Sequence, residues 1–412
     1  MRLFLLFIVC FGVGFQTLFA VAAPESKPPT ICLNMIVKDE AQVIKRCLGS
    51  VKPMIDYWVI VDTGSSDGTQ DIIREFMKDI PGELHERPWK NFGHNRNEAL
   101  QLAKGKGDYV LFIDADEMFE YSPDFKKPIL DKDYYYIDTR FCGMNYGRVL
   151  IVKNILMWKW HGVLHEWLDS PLARTVDTLP NVTNIVRTDG ARSKDPKKFL
   201  KDAAVLEAGL KDEPNNSRYM FYLAQSYRDA GENKKAIEKY EKRIAMGGFD
   251  QELFWSKLQI GILQEAENMP EDVIVHTYLT AFKMRPVRAE PLFRLCNYYR
   301  RKGDYASGLN IAREALSIPH SHDVLFVESW IYDWGILLEY SICAYWVDEF
   351  VEAKISSDLL LSNPALPDYV RDCVLKNLSW INLKLAETRP LDLLDPEKSL
   401  ELQPGANVTF SK

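Results

Sequence analysis

The sequence predicts two structural classes in one chain: an α/β domain built on a parallel sheet, followed by an all-α domain of stacked helix pairs. Two observations support this prediction. In the first half, short apolar runs alternate with amphipathic segments, and the runs end on acidic or glycine-rich stretches. Beyond residue 195, successive helix–turn–helix patterns replace the short apolar runs. Alternating strands and helices are typical of a parallel sheet covered by helices on both faces.

The first domain is expected to contain three central strands and three helices. Apolar runs predict strands over residues 30–37, 57–62 and 108–114, and amphipathic spacing predicts helices over 40–51, 69–80 and 95–105. In open parallel sheets, ligands bind beyond the carboxyl ends of the strands. The residues that follow each predicted strand are therefore the first candidates for a functional site.

Acidic motifs follow all three predicted strands: "VKDE" at 37–40, "DTGSSDGT" at 62–69 and "DADE" at 114–117. Asp62 ends its strand and can accept hydrogen bonds from the N–H of a pyrimidine base or from ribose hydroxyls. The loop after it lacks the lysine and the glycine spacing of a P-loop, so phosphates need another partner. The alternative interpretation is a capped turn that binds no ligand.

The "DADE" motif predicts a divalent cation. Asp114 and Asp116 lie two residues apart in a segment expected to be extended, so both side chains should point to the same side. Two hard oxygen donors suit Mg²⁺ or Mn²⁺. Such an ion would bridge a diphosphate and take up the charge that develops as the bond to it breaks.

Composition limits the classes of partner. The chain has 412 residues, of which 47% are hydrophobic, so two or three domains with real cores are expected. The net charge of −7 disfavours a nucleic-acid partner, because such proteins need a basic face. A phosphate-bearing ligand remains compatible with this charge, since a bound cation can invert the local field.

The N-terminal residues 1–23 predict entry into a secretory route. One early arginine precedes a long uncharged apolar run, and small residues lead to Pro24, which is typical of a signal peptide cleaved near Ala23. A retained signal-anchor is the alternative, because the run is about 20 residues long, enough to span a bilayer. The seven cysteines contain no CxxC pair and predict no zinc site; disulfides suit an oxidising compartment, but their pairing cannot be read from the spacing.

Four motifs, "NMIVKDE", "VDTGSSDGT", "GHNRNEAL" and "GDYVLFIDADE", together resemble the family 2 glycosyltransferases of GT-A fold, over most of residues 31–120. The resemblance implies a nucleoside-diphosphate sugar as donor, a divalent cation, and inversion at the anomeric carbon. It also implies roles for five residues: the nucleoside is contacted by Glu40 and Asp62, the nucleotide by Arg96, the ribose or metal by Asp114, and the metal by Asp116.

A second group of candidates lies in "WKWHGVLHEWLD" at residues 158–169. Sites of the GT-A type often need one more metal ligand and a carboxylate that deprotonates the acceptor. We expect His165 to be the ligand and Glu166 the base, with Asp169 as second candidate for the base. The flanking tryptophans would stack on a sugar and exclude water, whereas His161 is interpreted as a packing residue. Relatives tend to carry a histidine near "RTDG" at 187–190, which this chain lacks.

The second half predicts an α-helical repeat domain of tetratricopeptide (TPR) type. One helix pair carries Ala224, Tyr227 and Gly231, and the same pattern recurs 72 residues later as Cys296, Tyr299 and Gly303. This separation is close to two periods of the ~34-residue TPR repeat. Stacked helix pairs form a concave surface that suits a peptide. The alternative is that the helices only support the first domain.

The predicted organisation is a signal segment at 1–23, a GT-A domain at 29–195, TPR-like repeats at 196–385 and a tail at 386–412. The expected activity is a metal-dependent, hexosyltransferase-type glycosyltransferase whose protein or peptide acceptor docks on the repeats. The alternative is a non-catalytic TPR-type scaffold with a degenerate α/β domain. A sugar nucleotidyltransferase would carry a glycine-rich basic loop, which "NMIVKDE" is not.

Overall fold

The computed structural model describes residues 28–141 and 144–387. The predicted signal segment at 1–23, Cys142 and the tail beyond residue 387 lie outside the described residues. The chain divides into two compact units. Of the described residues, the first unit comprises 28–89, 95–141, 144–159 and 168–191, and the second comprises 90–94, 160–167 and 192–387. Among the described helices, none has the length and hydrophobicity that a bilayer crossing requires.

Ten strands and three helices precede residue 192 in the described part of the chain. The strands are β1 (Ile31–Val37), β2 (Tyr57–Asp62), β3 (Gly82–Glu86), β4 (Tyr109–Phe112), β5 (Glu117–Tyr121), β6 (Tyr134–Phe141), β7 (Met144–Lys153), β8 (Lys159–His161), β9 (Trp167–Asp169) and β10 (Val176–Val186). The helices are α1 (Ile44–Val51), α2 (Thr69–Phe76) and α3 (Phe92–Leu102). The predicted central strands and helices therefore exist, with ends shifted by a few residues.

Eight strands form one mixed sheet in the order β3-β2-β1-β4-β7-β6-β10-β5, while β8 and β9 form a separate two-stranded sheet. The neighbours β3, β2, β1 and β4 are all parallel, as predicted. The sheet then changes direction, because β7 pairs antiparallel with both β4 and β6. The prediction of a parallel sheet thus holds for the half that carries the acidic motifs.

The core of the first unit explains why these segments fold as they do. The residues of β1 are buried almost without exception, as expected for a strand covered on both faces. Helix α1 buries Ile44, Cys47, Leu48 and Val51, which recur at three- and four-residue spacing along one face. Together with the apolar residues of β2 and β4 they form a single hydrophobic cluster. Its packing holds the carboxyl ends of the parallel strands in fixed positions.

Up to residue 387, where the description ends, the second unit contains ten α-helices: α4 (Lys198–Asp212), α5 (Ser217–Asp229), α6 (Asn233–Ala245), α7 (Asp250–Ala266), α8 (Glu271–Met284), α9 (Glu290–Lys302), α10 (Tyr305–Leu316), α11 (Ile336–Trp346), α12 (Phe350–Ser362) and α13 (Asp368–Glu387). Each helix packs against the next one along the chain. Helices α5, α7, α9, α11 and α13 also touch in succession and form one layer. This packing confirms the predicted stack of helix pairs.

The two glycines that revealed the repeat occupy equivalent turns. Gly231 lies between α5 and α6 with a φ of 75°, and Gly303 lies between α9 and α10 with a φ of 81°. Only glycine adopts this left-handed conformation without steric cost, so it is favoured where a helix must end and the chain must turn back. The 72-residue spacing in the sequence therefore marks a structural repeat.

Candidate active site

The site predicted from the strand ends lies at the point where the strand order reverses. From β1 the chain runs outward to β2 and β3 and then returns to β4 on the other side of β1. A crevice forms at such a switch point, beyond the carboxyl ends of the two central strands. Glu40 follows β1 and Asp114 follows β4, so the two acidic motifs border this crevice, and Asp62 ends the neighbouring strand β2.

The loops after β1 and β2 are joined by hydrogen bonds. The backbone N–H of Glu40 donates to Thr69 Oγ1 at 2.8 Å, and the N–H of Ala41 donates to Asp67 Oδ2 at 2.9 Å. The backbone oxygen of Glu40 accepts from Ile44 N at 2.9 Å, so α1 begins later than the predicted residue 40. These contacts make the two loops one rigid wall, which holds Glu40 beside the loop of Asp62.

Asp62 is held as an ionised acceptor with one uncommitted oxygen. Its Oδ1 accepts from Gly64 N at 2.9 Å, Ser65 N at 2.8 Å and Gln70 Nε2 at 3.0 Å. Burial raises the pKa of Asp62, but the hydrogen bonds from Ser65, Gln70 and Gly64 outweigh it, and the net pKa is lowered. Its Oδ2 is buried without a hydrogen-bond partner among the described residues. A buried oxygen without a donor is costly, so this atom marks a place where a ligand N–H or O–H fits.

The crevice carries an excess of negative charge. Oε2 of Glu40 accepts a hydrogen bond from Ala191 N at 3.2 Å. Nevertheless the pKa of Glu40 is raised to about 7, first by burial and then by the charges of Asp116, Asp67 and Asp114. Carboxylates that oppose one another's ionisation in this way are suited to a bound cation.

Asp114 is compensated by two arginines. Arg96 Nη2 donates to Asp114 Oδ1 at 2.6 Å, and Arg148 Nη2 lies 3.6 Å from Oδ2. Burial raises the pKa of Asp114, but the two guanidinium groups outweigh it and hold this pKa well below its usual range. Arg148 also bonds to Glu117, which is buried and whose pKa is raised by burial and by Asp114. Arg148 was not predicted; its only trace in the sequence is a lone charge in the apolar strand "GRVLIV".

The "DADE" motif is a turn and not an extended segment. Strand β4 ends at Phe112, β5 begins at Glu117, and Glu117 N donates to Asp114 O at 3.0 Å. The prediction that Asp114 and Asp116 lie in an extended segment was therefore wrong. Both carboxylates lie at this turn within electrostatic reach of Glu40, and Asp114 faces Arg96.

Residues 187–191 cover Asp116, although the sequence drew attention to them only through a missing histidine. Arg187 N donates to Asp116 O at 3.2 Å. A Cβ at Gly190 would lie 3.0 Å from both Cβ and Oδ2 of Asp116, so this position leaves little room for a side chain. Arg46 holds the segment in place through two hydrogen bonds to Asp189, of 2.6 and 2.7 Å.

A polar cleft of about 230 Å³ opens on the β6, β7 and β10 part of the sheet. It is lined by Asp138, Arg140, Tyr146 and Thr183. Burial raises the pKa of Tyr146, and the charges of Glu117 and Asp114 raise it further against the opposing effect of Arg148. The cleft is thus within electrostatic reach of Arg148, Glu117 and Asp114.

His165 and Glu166 belong to the second unit. The ring of His165 stacks on Tyr222 with centroids 3.9 Å apart, and its carbonyl accepts from Arg218 Nη2 at 2.9 Å. Although part of the residue reaches solvent, desolvation of the ring lowers the pKa of His165 to about 4, and the cations Arg192, Arg218 and Lys198 contribute. The ring is therefore neutral near pH 7, the form that a metal ligand requires.

The other members of the "WKWHGVLHEWLD" segment take different positions. His161 stacks on Trp167 with centroids 4.5 Å apart, in agreement with its interpretation as a packing residue. His165 has a φ of 52°, a conformation that a non-glycine residue seldom adopts. Asp169 ends β9 in the first unit and is exposed, whereas Glu166 is half-buried in the second. The roles predicted for His165, Glu166 and Asp169 stay predictions.

The donor set of the crevice fits a weakly enclosed hard cation. In the described part of the chain, the only three histidine, cysteine or acidic side chains with ligand atoms all within 4.8 Å of one another lie elsewhere, on α9 and α11. Mg²⁺ commonly needs only one or two protein carboxylates, since water and substrate phosphates complete its shell. Asp116 fits this role best, because Asp114 is already neutralised by Arg96 and Arg148.

The fold and the crevice define the class: a GT-A-type α/β domain followed by TPR-like helices. Residues 32–142 match the family model described as glycosyl transferase family 2. The SPbeta prophage-derived glycosyltransferase SunS of Bacillus subtilis is 26% identical over 245 residues, which cover 53% of this chain and 54% of SunS. The chain thus spans about half the length of this curated relative.

Shorter matches involve both domain types. A TPR repeat-containing protein of Synechococcus elongatus is 41% identical over 87 residues, covering 21% of this chain and 20% of that protein. An uncharacterized glycosyltransferase of Rickettsia bellii is 29% identical over 125 residues, covering 30% and 37%. Among solved structures, MamA protein aligns with a TM-score of 0.31 at 14% identity, covering 47% of this chain and 87% of MamA. Yeast Tom70 aligns with a TM-score of 0.34 at 16% identity, covering 48% and 40%.

Proposed function

We propose that this protein is a metal-dependent, inverting glycosyltransferase that moves a hexose from a nucleoside-diphosphate sugar to an acceptor. The observation that carries the proposal is the pairing of a family 2 domain with an incompletely satisfied acidic crevice at its switch point. Asp62 keeps one acceptor oxygen without a donor, and Glu40 lies in a field of like charges. A bound nucleotide would supply a hydrogen-bond donor to Asp62, and the cation bound with it would supply positive charge beside Glu40.

In this proposal, the loops after β1 and β2 bind the nucleoside. Asp62 Oδ1 is fixed by three donors, so the carboxylate is oriented before any ligand arrives. Its Oδ2 would accept the ring N–H of a pyrimidine base or a ribose hydroxyl. Preorganisation of this kind lowers the entropic cost of binding.

The diphosphate would lie beside the "DADE" turn. Asp116 is the first candidate to hold the cation, with Asp114 and His165 as further candidates. When bound, a divalent cation neutralises the charge that develops on the leaving diphosphate. Arg96 and Arg148 keep Asp114 ionised and hold it in place, but they also face both of its oxygens, so Asp114 ranks behind Asp116 as a ligand.

The transfer step requires a base on the face of the sugar opposite the leaving group. The acceptor oxygen would bond to the anomeric carbon while the bond from that carbon to the diphosphate breaks, and the acceptor proton would move to a carboxylate oxygen. Glu166 is the first candidate for this base and Asp169 the second. Loss of activity in Glu166→Gln, with activity kept in Asp169→Asn, would support the first assignment, and the reverse pattern the second.

The helical unit offers a surface for the acceptor. Its helices form a layered stack of the kind that binds peptides, and a cavity of about 280 Å³ lies among α7, α8 and α9. Glu265, Tyr298, Arg301 and Lys302 are among the residues that line it. We propose that the acceptor is a protein or peptide. Residues 1–23 would direct the enzyme into a secretory route, where it would modify this acceptor. A transporter would then have to bring the sugar nucleotide into the same compartment.

The decisive experiment measures nucleoside-diphosphate release by the purified full chain with Mn²⁺ or Mg²⁺ across a panel of UDP- and GDP-sugars. One donor should turn over, and Asp116→Ala should lower the rate about 100-fold or more, because charge on the leaving group is no longer neutralised. The matched control is Asp71→Ala, which removes a carboxylate whose side chain is 88% exposed on α2. Release from no donor, together with no thermal shift by any of them, would contradict the proposal and favour a non-catalytic scaffold.

A further inference from the structure

Two cysteines meet inside the helical unit. Cys296 lies on α9 and Cys343 on α11, and both side chains are buried. Their sulfur atoms and a carboxylate oxygen of Glu339 lie within 4.8 Å of one another. The contact with Cys343 opposes ionisation of the Cys296 thiol and raises its pKa. The two cysteines are part of a hydrophobic cluster built by α9, α10, α11, α12 and α13, so the contact is built into the core.

The neighbouring helix leaves space for this pair. Gly308 of α10 packs against both residues, where a Cβ would lie 3.0 Å from Cys343 Sγ and 3.5 Å from the carbonyl oxygen of Cys296. Any larger residue at this position would push α10 away from the cysteines. The close approach of three helices at one point therefore brings together two residues that are 47 positions apart in the sequence.

Two cysteines and a glutamate could in principle bind a metal ion, but the residues around them disfavour metal binding. Glu339 already accepts hydrogen bonds from Arg300 Nε at 2.6 Å and Nη2 at 3.1 Å, and from Asn297 Nδ2 at 2.8 Å. A fixed guanidinium beside the only carboxylate repels a cation. Metal binding also needs thiolates, yet the contact with Cys343, burial and the charge of Glu339 raise the pKa of Cys296.

The remaining chemistry of two adjacent thiols is oxidation. We infer that Cys296 and Cys343 form a disulfide that links α9 to α11 when the chain folds in an oxidising compartment. The electron acceptor is a small-molecule or protein disulfide, R–S–S–R. The Cys296 and Cys343 thiols each lose a proton, one S–S bond forms between them, and the acceptor's S–S bond breaks to give two R–SH, which take up both protons and two electrons.

The timing follows from the burial of both sulfurs. Exchange proceeds through a mixed disulfide that needs access to one thiol, so it must occur before α10 packs over the pair. The inference depends on the secretory route predicted from residues 1–23, because disulfides persist in oxidising compartments and are rare in the cytosol. It is independent of the proposed transferase activity, since none of the three residues belongs to the crevice.

The bond would stabilise the part of the helical stack around α9, α10 and α11. It closes a loop that contains α10 and joins two helices of the same layer, so it restricts the unfolded chain and keeps the layer together. Reduction should therefore lower the Tm of the oxidised protein by about 5 °C or more.

The test uses the full chain, produced in the oxidising compartment of an expression host and purified without reductant. Denaturation in an excess of alkylating reagent followed by peptide mass mapping should find Cys296 and Cys343 in one cross-linked pair, with Cys373 alkylated. A Tm measured with and without a phosphine reductant should shift in the parent protein and in Cys373→Ser, the matched control on an exposed site of α13. Cys343→Ala should remove the dependence on reductant.

Two results would overturn the inference. Alkylation of both Cys296 and Cys343 in the unreduced protein would show that no bond forms. One zinc ion per chain by elemental analysis, lost on mild treatment with a thiol-modifying reagent, would assign the pair to a metal instead. Both measurements use the parent protein, so the inference is decided even where Cys343→Ala fails to fold.

Discussion

Two buried charged residues, one in each unit, have opposite hydrogen-bonding environments. In the helical unit, Arg288 is fully buried, yet its guanidinium donates to Glu290 at 2.9 and 3.0 Å, to Leu325 O at 3.0 Å and to Phe326 O at 2.9 Å. In the crevice of the first unit, Asp62 is equally buried but keeps one oxygen without a donor among the described residues. The comparison teaches that a buried charge with every partner in place serves the fold, whereas one with a partner missing points to a ligand.

The largest effect on stability is expected for Arg288, whose hydrogen-bond network is complete. Arg288→Met leaves Glu290 buried without its cation, and this should lower the free energy of unfolding by about 3–5 kcal/mol. Urea unfolding followed by circular dichroism measures the change. The matched control is Arg313→Met, whose arginine is 43% exposed and pairs with Glu349 on the surface, and which should cost less than about 1 kcal/mol. Equal losses in both variants would remove the contrast between the two units.

At Asp62, where one oxygen has no donor, we expect a substitution to affect donor binding and not stability. Asp62→Asn keeps an oxygen for Gly64, Ser65 and Gln70 but replaces the uncommitted acceptor with an N–H donor. Stability should change by about 1 kcal/mol or less, because no existing hydrogen bond is lost. The KM for the donor should rise about tenfold or more, since the ligand's N–H or O–H then meets another donor.

The outcome for Asp62→Asn is read from two measurements on the same sample. Donor titration in the release assay gives KM and kcat, and urea unfolding gives stability. A large loss of stability with an unchanged KM would contradict the interpretation, because Asp62 would then be a structural residue like Arg288. Asp71→Asn on exposed α2 serves as the control for both measurements.

The smallest effect is expected at the segment that covers Asp116. Gly190→Ala adds a methyl group 3.0 Å from the Asp116 side chain, which must move by a few tenths of an ångström. We expect kcat to fall about threefold to tenfold with little change in stability, because a positioned group loses efficiency with small displacements. Gly49→Ala on α1 is the matched control, since its nearest contact is an ordinary 3.6 Å from Phe76. An unchanged kcat in Gly190→Ala would separate residues 187–191 from the site.

The strand ends could be predicted because they depend on local pattern and on one general rule. Apolar runs mark β1, β2 and β4, and the rule that ligands bind beyond parallel strands directs attention to Glu40, Asp62 and Asp116. The "DADE" geometry was predicted wrongly, because strand periodicity cannot reveal that β4 passes into β5 through a turn. The antiparallel pairing of β7 with β4 and β6 was likewise not expected, since the direction of β7 depends on its partners in space.

The roles of Arg148 and of residues 187–191 could not be predicted from the sequence, for a different reason. Arg46 and Asp189 are 143 residues apart, and no spacing or composition links them. Arg148 is 31 residues from Glu117, on a strand whose neighbours the sequence does not reveal. Single-sequence patterns report on contacts within a few residues, so a salt bridge between distant segments leaves no trace in them.

By itself, the sequence determined the two structural classes, the repeat of helix pairs and the positions of the acidic motifs. These features rest on periodicity, on turn glycines such as Gly231 and Gly303, and on short motifs, all of which are local properties of the chain. Only the tertiary structure decided which carboxylates are paired, which oxygen of Asp62 is left over, and that Cys296 meets Cys343. Such pairing depends on packing and desolvation, and both arise only when distant segments come together.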